Sequence, residues 1–442
     1  MESGYSTLQP QLDIYAQHKV VGTLTFQQQQ SCEFKYHPTW IQIGYPISPH
    51  LPLSGEYSAN TVVRFLRNLF PEGSAFDRLL EAERLSKNNI YSILRTIGSD
   101  TAGLLNFATE LANQDVPMLR QITHDELASR LRQQQDMTYW DGKYRLSLAG
   151  VQNKLNVFLN DQDDIFLASG NYSSTHILKF ASDKHPSIVI NEFFCMRLAK
   201  AINLSCAAVY IRPLNEFNSL MVERFDRKKT PSGIKKRHII DGCQALDMPP
   251  ENKYEQNFGS SRDVQHIRDG VSLPKLFNFA NQTAIPAQTR LKLLDAVIFN
   301  LIIGNSDAHG KNFSFYVGKH EGICLAPLYD LVSVVYEAQQ VPNLDTHLAM
   351  AIGDNFEIEN ISAYDLLTFA EQVGIEPAYL KRRLNRLCQL TTTVVHKLDF
   401  SAEHLRKEQL EHVEALKALI AKRAESLHAQ AQLFEQVLRE AF

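Results

Sequence analysis

The sequence predicts an α+β fold in which a β-rich half precedes a mainly helical half. Five strand-like segments crowd between residues 144 and 211, and helical periodicity dominates after residue 227. The 442 residues are 44% hydrophobic and 21% charged, which is typical of a globular protein of about two or three domains. This order of elements is one way to build a two-lobed enzyme with a cleft between its lobes.

The N-terminal part of the chain predicts a small β-rich domain over residues 1–112. Residues 12–26 alternate between apolar and polar side chains around a turn-like Gln17-His18-Lys19, which predicts a β-hairpin. From Thr61 to Ile97 the apolar residues recur with a helical period, interrupted at Pro71-Glu72-Gly73.

Most of the strand-like segments fall in a predicted second domain, residues 113–228. They are Tyr144–Leu148, Leu155–Leu159, Ile165–Ala168, His176–Phe180 and Ala208–Ile211, with a helical stretch, Glu192–Ile202, before the last. Residues 229–442 predict an all-helical lobe, and its last helix carries apolar residues at steps of three or four from Val413 to Leu438. This face most simply packs on the C-terminal core; a partner-binding or coiled-coil face is the alternative.

The composition excludes several other classes of protein. With 45 Lys and Arg against 49 Asp and Glu, the net charge of −4 argues against coating nucleic acid or an anionic membrane by bulk charge. The 6 cysteines form no C-x-x-C pair, so we expect buried thiols in a reducing cytosol rather than a zinc ribbon or a redox motif. Neither a signal peptide nor an apolar run of membrane-spanning length is visible, and we expect a soluble cytoplasmic protein without a membrane partner.

The most informative stretch is the polar loop Gly304–Asn312, which follows a helical segment and precedes a predicted hairpin and Tyr329-Asp330. A phosphotransferase needs one carboxylate for the attacking hydroxyl, and an amide oxygen with a second carboxylate to hold Mg²⁺. The spacing from Asp307 to Asn312 equals the D-x-x-x-x-N spacing of a kinase catalytic loop, and the hairpin is expected to bring Asp330 into the same cleft. Either motif alone is more simply a solvated turn or a structural Asp, but their order favours a phosphotransferase.

A second candidate site is the turn Ser147–Lys154. Its small residues Ala149 and Gly150 would let backbone N–H groups approach a phosphate, although such a turn is more often only a turn. Lys179 lies in an apolar strand, where an ammonium group needs an anion. A phosphate is the favoured anion, and Glu192 is the alternative.

The segment Val222–Arg227 leaves an apolar strand for charged residues, at the point where a two-lobed kinase has its adenine-binding hinge. An edge strand that ends in solvent explains it equally well. A basic loop follows at residues 227–237, and a solvated surface is the simpler interpretation than a contact for acidic substrate, tRNA or DNA.

Taken together, these motifs resemble the HipA family, whose members are serine/threonine kinases that serve as toxins of bacterial toxin–antitoxin pairs. The matching motifs are S-x-A-G-x-Q-x-K (147–154), T-H-I-L-K (175–179), V-E-R-F-D-R (222–227), D-x-H-x-K-N (307–312) and Y-D (329–330). F-K-Y-x-P-x-W at 34–40 and I-G-S-D-x-x-G at 97–103 extend the resemblance over almost the whole chain. It implies a two-lobed kinase-like fold with a small β-rich N-terminal domain, a β lobe and an all-helical C-terminal lobe.

The resemblance also implies roles for individual residues. Asp307 matches the catalytic base, Asn312 and Asp330 match the metal ligands, and Ser147 matches a serine that some members autophosphorylate, although a strand serine needs no such role. The positions that match the nucleotide site are Ala149, Gly150, Val151, Gln152, Asn153, Lys154, Lys179, Glu223, Arg224, Phe225, His309, Gly310, Lys311, Asn312, Tyr329 and Asp330.

The cofactors that the resemblance implies are ATP and Mg²⁺, and the implied partner is a small helix-turn-helix antitoxin of the HipB type that binds operator DNA. Known family targets are aminoacyl-tRNA synthetases, notably the glutamyl enzyme, whose phosphorylation arrests translation and induces dormancy. The chain lacks G-x-G-x-x-G, H-R-D and D-F-G, so the substrate rules of generic protein kinases do not carry over. Two alternatives stay open: a non-catalytic antitoxin-binding corepressor, and a kinase of small molecules or lipids on a related fold.

Overall fold

The structure, a computed structural model, describes residues 9–28, 31–98, 100–109, 118–144, 153–169, 172–231 and 233–441. The chain divides into two compact units. The first comprises residues 1–177, 226–240 and 316–321, and the second comprises residues 178–225, 241–315 and 322–442. The division into three domains at residues 112 and 228 stays a prediction.

Strands and helices both occur along the chain, which confirms the predicted α+β class. The strands are β1 Gln11–Ala16, β2 Lys19–Gln28, β3 Ser31–Tyr36, β4 Leu105–Ala108, β5 Met118–Ile122, β6 Tyr139–Trp140, β7 Lys143–Tyr144, β8 Lys154–Leu159, β9 Ile165–Ser169, β10 His176–Lys179, β11 Val209–Leu214, β12 Phe217–Glu223, β13 Arg227–Thr230, β14 Gly233–Lys236, β15 Ile239–Asp241, β16 Ser314–Gly318, β17 Gly322–Leu325, β18 His347–Ile352 and β19 Asn355–Glu357. The helices are α1 Pro38–Ile43, α2 Ala59–Arg67, α3 Gly73–Ala82, α4 Ile90–Ile97, α5 His124–Arg132, α6 Ile188–Ala201, α7 Gly242–Ala245, α8 Leu273–Phe279, α9 Pro286–Ile303, α10 Val334–Gln340, α11 Ala363–Gln372, α12 Pro377–Val394, α13 Lys407–Gln432 and α14 Phe434–Ala441.

The first unit begins with an antiparallel sheet in the order β3-β2-β1-β4. Its inward side chains alternate along each strand, with Leu12, Ile14 and Leu24 buried, so the predicted hairpin at residues 12–26 is confirmed. The predicted helical stretch forms the three helices α2, α3 and α4, and α3 begins at the Pro71–Gly73 interruption.

Strands β8, β9 and β5 form an antiparallel set in that order, which confirms two further predicted strands. Residues 145–148 of the predicted strand Tyr144–Leu148 lie outside the described residues.

In the first unit, a buried ion-pair network joins residues of two of the motifs quoted above. The Arg227 side chain is 1% exposed and lies 3.0 Å from Asp100 Oδ1 and 2.7 Å from Asp226 Oδ2. The Gly103 N–H donates to the same Asp226 oxygen at 2.7 Å, and the Gly103 carbonyl accepts from Arg227 at 2.8 Å. I-G-S-D-x-x-G and the end of V-E-R-F-D-R therefore meet in one buried cluster in which the guanidinium charge is compensated.

The core of the second unit is helical, with α13 packed against α6, α9 and α12, and α12 packed against α6 and α9. Helix α9 is buried around almost its whole circumference from Leu293 to Ile303, as a central helix must be. Asp295, the acidic residue of this stretch, pairs through both carboxylate oxygens with Arg383 of α12 at 2.6 Å. Among the described residues, no helix is both long and apolar enough to cross a bilayer.

The predicted C-terminal helix packs as expected but is divided in two. Its apolar face, Val413 to Ala431 on α13, is buried against α6, α9 and α12. The Leu433 N–H bonds to the Gln430 carbonyl at 3.1 Å, which tightens the last turn and starts a separate helix at Phe434. Residues 229–442, predicted as an all-helical lobe, also carry the short strands β14 to β19. No disulfide joins the six cysteines, all of which are among the described residues, and four of them are buried.

Replacing Gly304, which ends α9, is expected to destabilise the second unit. Gly304 has a φ of 73°, and a Cβ there would lie 3.0 Å from the Val335 side chain. Gly304→Ala should lower the free energy of unfolding by about 2 kcal/mol, because left-handed strain and crowding add. The control is Gly374→Ala, with a φ of 60° and only an ordinary contact at 3.7 Å from Arg290. Equal losses for the two variants in urea denaturation would contradict this explanation.

Candidate active site

The site is built around Lys179, which ends β10 and is 6% exposed. Its Nζ donates to Glu192 Oε1 of α6 at 2.6 Å and also to Asp330 Oδ1. Burial alone would lower the pKa of Lys179, but the carboxylates of Asp330 and Glu192 raise it above its ordinary value, so the ammonium stays charged. The sequence predicted a phosphate as the partner of Lys179, with Glu192 as the alternative. In the structure, Glu192 is one of two carboxylates that pair with Lys179.

Asp330 lies in the left-handed region, with a φ of 53°. Its side chain is 36% exposed, so it is accessible from solvent while its Oδ1 is held by Lys179. Two residues earlier, Leu328 exchanges main-chain hydrogen bonds with Ser205 and Ala207 at 2.8 and 2.9 Å. Asp330 tolerates its unusual backbone because contacts on both sides determine the course of the chain.

A buried polar anchor holds the segment after Asp330 against α6. The side chain of Asn191 accepts from the Ser333 N–H at 2.8 Å and donates to the Ser333 carbonyl at 2.9 Å. Asn191 also donates to Glu337 Oε1 at 2.9 Å, and the Ser187 hydroxyl donates to the same oxygen at 2.8 Å. All four residues are buried, so the neighbouring residues Asn191 and Glu192 together position the Asp330 segment.

The predicted catalytic loop begins where Gly304 ends α9 and closes in a short 3₁₀ turn, Gly310–Asn312. The His309 N–H is shared between the Asp307 carbonyl at 2.8 Å and Asn312 Oδ1 at 3.1 Å. The Asn312 N–H in turn donates to the His309 carbonyl at 2.9 Å. Asp307 and Asn312 are thus two ends of one hydrogen-bonded loop.

Lys311 and Tyr329 connect this loop to the Asp330 segment. The Lys311 side chain is 3% exposed and pairs with Asp241 Oδ2 at 2.7 Å, so it is not directed to solvent. The Tyr329 hydroxyl donates to the Lys311 carbonyl at 2.5 Å and lies 2.7 Å from the Ser314 hydroxyl. Burial raises the pKa of Tyr329 well above its ordinary value, which keeps the hydroxyl a neutral donor. The Tyr329 ring lies 5.4 Å from the ring of Phe225 in the predicted hinge.

Asp307 is exposed and accepts a hydrogen bond from the Tyr254 hydroxyl at 2.8 Å on Oδ1. The Tyr254 ring meets the His309 ring edge-on at 5.2 Å. Sequence reasoning missed Tyr254 because no motif spacing connects it to Asp307, 53 positions away.

The predicted site residues therefore fall into two groups. Contacts within the second unit bring together Lys179, Phe225, Asp307, His309, Lys311, Asn312, Tyr329 and Asp330. Three other predicted nucleotide-site residues lie in the same unit: Glu223 is exposed, Arg224 is buried, and Gly310 packs against Val271.

The residues of the predicted phosphate loop are placed differently. Asn153 is exposed, and Lys154, which begins β8 in the first unit, is buried. The remaining residues of this loop, Ser147 and Ala149, Gly150, Val151 and Gln152, lie outside the described residues. The role of this loop stays a prediction.

Comparison with known proteins adds an independent observation. Residues 146–398 match the family model of the HipA-like C-terminal domain, and residues 12–108 match that of the HipA N-terminal domain. The serine/threonine-protein kinase toxin HipA of Shewanella oneidensis is 39% identical over 421 residues, which cover 94% of this chain and 95% of the relative. The putative kinase Y4mE of Sinorhizobium fredii is 34% identical over 91% of this chain and 95% of its own length. Among solved structures, the complex of HipA, HipB and operator DNA from Shewanella oneidensis contains a chain with a TM-score of 0.85 at 37% identity, covering 96% of this chain and 99% of that chain.

Removing the ammonium of Lys179 is expected to destabilise the second unit. Lys179→Met should lower the free energy of unfolding by about 3 kcal/mol, because it leaves the carboxylate of Glu192, 1% exposed, without its cation. Lys179→Met/Glu192→Gln should recover part of this loss. The control is Lys381→Met, since Lys381 pairs with the largely exposed Glu435 and such pairs contribute about 0–1 kcal/mol. Urea denaturation followed by circular dichroism compares the three variants, and similar losses for the two single variants would argue against a structural role for the buried pair.

Proposed function

The chain belongs to the HipA family of serine/threonine-protein kinases, and from this premise we propose that it transfers the γ-phosphoryl group of ATP to a hydroxyl of a protein substrate at the residues described above. One observation carries the assignment of the site. Lys179 bonds to Asp330, and Tyr329, next to Asp330, bonds to the carbonyl of Lys311, next to Asn312. The His309 N–H donates both to Asn312 Oδ1 and to the Asp307 carbonyl, so hydrogen bonds and adjacent chain positions connect Lys179, Asp330, Asn312 and Asp307, although Lys179 and Asp330 lie 151 positions apart.

In the proposed reaction, Asp307 is the group that meets the protein hydroxyl. Its carboxylate is exposed, so the surface of another protein can reach it. It would orient the serine or threonine hydroxyl and accept its proton as the new bond to phosphorus forms. Lys179, held between Glu192 and Asp330, would place its positive charge next to the phosphates.

The residues present also fit a magnesium ion. Asp330 is accessible and Asn312 is half-buried, and both offer the hard oxygen donors that Mg²⁺ prefers. The described part of the chain holds no cluster of three or more His, Cys, Asp or Glu side chains able to enclose a metal. One carboxylate and one amide suit Mg²⁺, which retains water and phosphate oxygens. When bound, the ion supplies positive charge that stabilises the phosphates.

The proposal extends to partners and regulation. We propose a HipB-type antitoxin as the partner, because the similar chain of Shewanella oneidensis was solved with HipB and operator DNA. Contact with DNA would then occur through the antitoxin complex. The family resemblance suggests an aminoacyl-tRNA synthetase, such as the glutamyl enzyme, as the substrate, and Ser147 as a site of autophosphorylation.

Asp307→Asn and Asp330→Asn should each reduce phosphoryl transfer by about 10²- to 10⁴-fold, the range expected for loss of a general base or of a charged ligand. Incubation with γ-labelled ATP and a bacterial lysate measures the transfer, and circular dichroism checks that the variants are folded. Asp399→Asn is the matched control, because Asp399 only caps the turn at Ser401 and asparagine can do the same. Wild-type rates in both site variants would refute the assignment of these carboxylates.

Ser147→Ala should remove label from the chain itself and leave the labelling of lysate protein unchanged. Mass spectrometry of the labelled chain and of the labelled lysate protein identifies both acceptors in one experiment. Label that persists at another residue of this chain would reject Ser147, and labelled protein other than an aminoacyl-tRNA synthetase would correct the expected substrate.

A further inference from the structure

A tyrosine outside all the quoted motifs is hydrogen-bonded to the proposed catalytic carboxylate. The Tyr254 hydroxyl donates to Asp307 Oδ1 at 2.8 Å. Within the described residues, this is the one side-chain hydrogen bond that the Asp307 carboxylate makes. The orientation of the carboxylate therefore depends on where Tyr254 is held.

One residue of β18 holds both ends of this contact. The Ala349 N–H donates to the carbonyl of Ser306, the residue before Asp307, at 2.7 Å. The Ala349 carbonyl accepts from the N–H of Glu255, the residue after Tyr254, at 2.9 Å. Because both hydrogen bonds are main-chain bonds to one buried residue, they fix the distance between the backbones that carry the tyrosine and the aspartate.

The side chain of Glu255 holds the same backbone through two further hydrogen bonds. It is 3% exposed, and its Oε2 accepts from the Ala351 N–H of β18 at 2.8 Å. Its Oε1 accepts from Arg268 Nε at 2.7 Å, which closes the base of the loop at residues 256–267. A buried carboxylate is stable only when it is paired and hydrogen-bonded in this way. The backbone at Tyr254 is thus part of a firm framework although the loop beyond it lies at the surface.

The Tyr254 side chain itself lies at the border between this framework and solvent. Tyr254 is 36% exposed, and its ring is supported by the edge-on contact with His309. Its hydroxyl is therefore placed beside an exposed carboxylate, where the hydroxyl of a protein substrate would arrive in the proposed reaction. A hydrogen bond to one oxygen of a carboxylate restricts rotation of the whole group and so fixes the position of the second oxygen.

We propose that Tyr254 is a positioning residue for phosphoryl transfer. Its hydroxyl holds Oδ1 of Asp307, so that Oδ2 is oriented toward the incoming serine or threonine hydroxyl. Tyr254 exchanges no proton and forms no bond in the reaction; it acts through Asp307. The inference rests on the proposed function, because it takes Asp307 as the group that receives the substrate hydroxyl.

Tyr254→Phe tests this role, because it removes the hydroxyl and keeps the ring that packs on His309. We measure the initial rate of label transfer from γ-labelled ATP to protein in a bacterial lysate at fixed lysate concentration, over a range of ATP concentrations. The maximal rate should fall about tenfold, the effect of losing one hydrogen bond to a charged group, while the apparent KM for ATP stays within about twofold. The urea denaturation midpoint should remain that of the wild type.

Tyr379→Phe is the matched control, since the Tyr379 ring packs beside Arg382 on α12 and has no contact with Asp307; its kinetics should equal those of the wild type. Three results overturn the inference while the proposed function stands: an unchanged maximal rate in Tyr254→Phe, an increased rate, or an effect confined to KM. Absence of transfer by the wild-type chain, by contrast, overturns the proposed function and this inference with it.

Discussion

The buried pairing of Lys179 with Glu192 and Asp330 is the interaction on which the site depends. A lone ammonium or carboxylate could not be kept at this depth, because the loss of hydration would cost several kcal/mol. The two buried charges, on Lys179 and Glu192, are therefore stable only because they are paired. As a result, the end of β10, the second turn of α6 and the segment after β17 are brought to one point, and Asp330 is held in a left-handed backbone conformation. The anchor of Asn191, Ser333 and Glu337 strengthens the same junction with neutral and charged hydrogen bonds.

The loop that follows α9 also depends on polar side chains that are paired inside the protein. Its other polar side chains are turned inward: Asn305 donates to Asn300 at 2.9 Å, and Lys311 pairs with Asp241. Among residues Gly304–Asn312, Asp307 is the one that is exposed. A loop that satisfies its polar groups internally can present one carboxylate to another molecule without losing its shape. Exposure of Asp307 and burial of the groups around it are two results of the same hydrogen bonding.

Much of the fold was predictable from the sequence, because local periodicity carries the information. The hairpin at residues 12–26 and α6 over most of Glu192–Ile202 follow from apolar spacing alone. The contacts that complete the site were not predictable in this way. Tyr254 lies 53 positions from Asp307, Asp241 lies 70 positions from Lys311, and Asn191 lies 146 positions from Glu337. Polar residues so far apart have no common period, and taken singly each resembles a solvated surface residue.

The charges at the centre of the site do not cancel. Lys179 contributes one positive charge, and Glu192 and Asp330 contribute two negative charges, so one negative charge is in excess. Glu192 is buried to 1% exposure, whereas the Asp330 side chain is 36% exposed, so the excess charge is accessible at Asp330. A cluster with no net charge would attract a cation only weakly. A cluster without Lys179 would repel the phosphates that are bound together with that cation. The combination of one buried ammonium, one buried carboxylate and one accessible carboxylate would meet both requirements of the nucleotide and divalent ion in the proposed function.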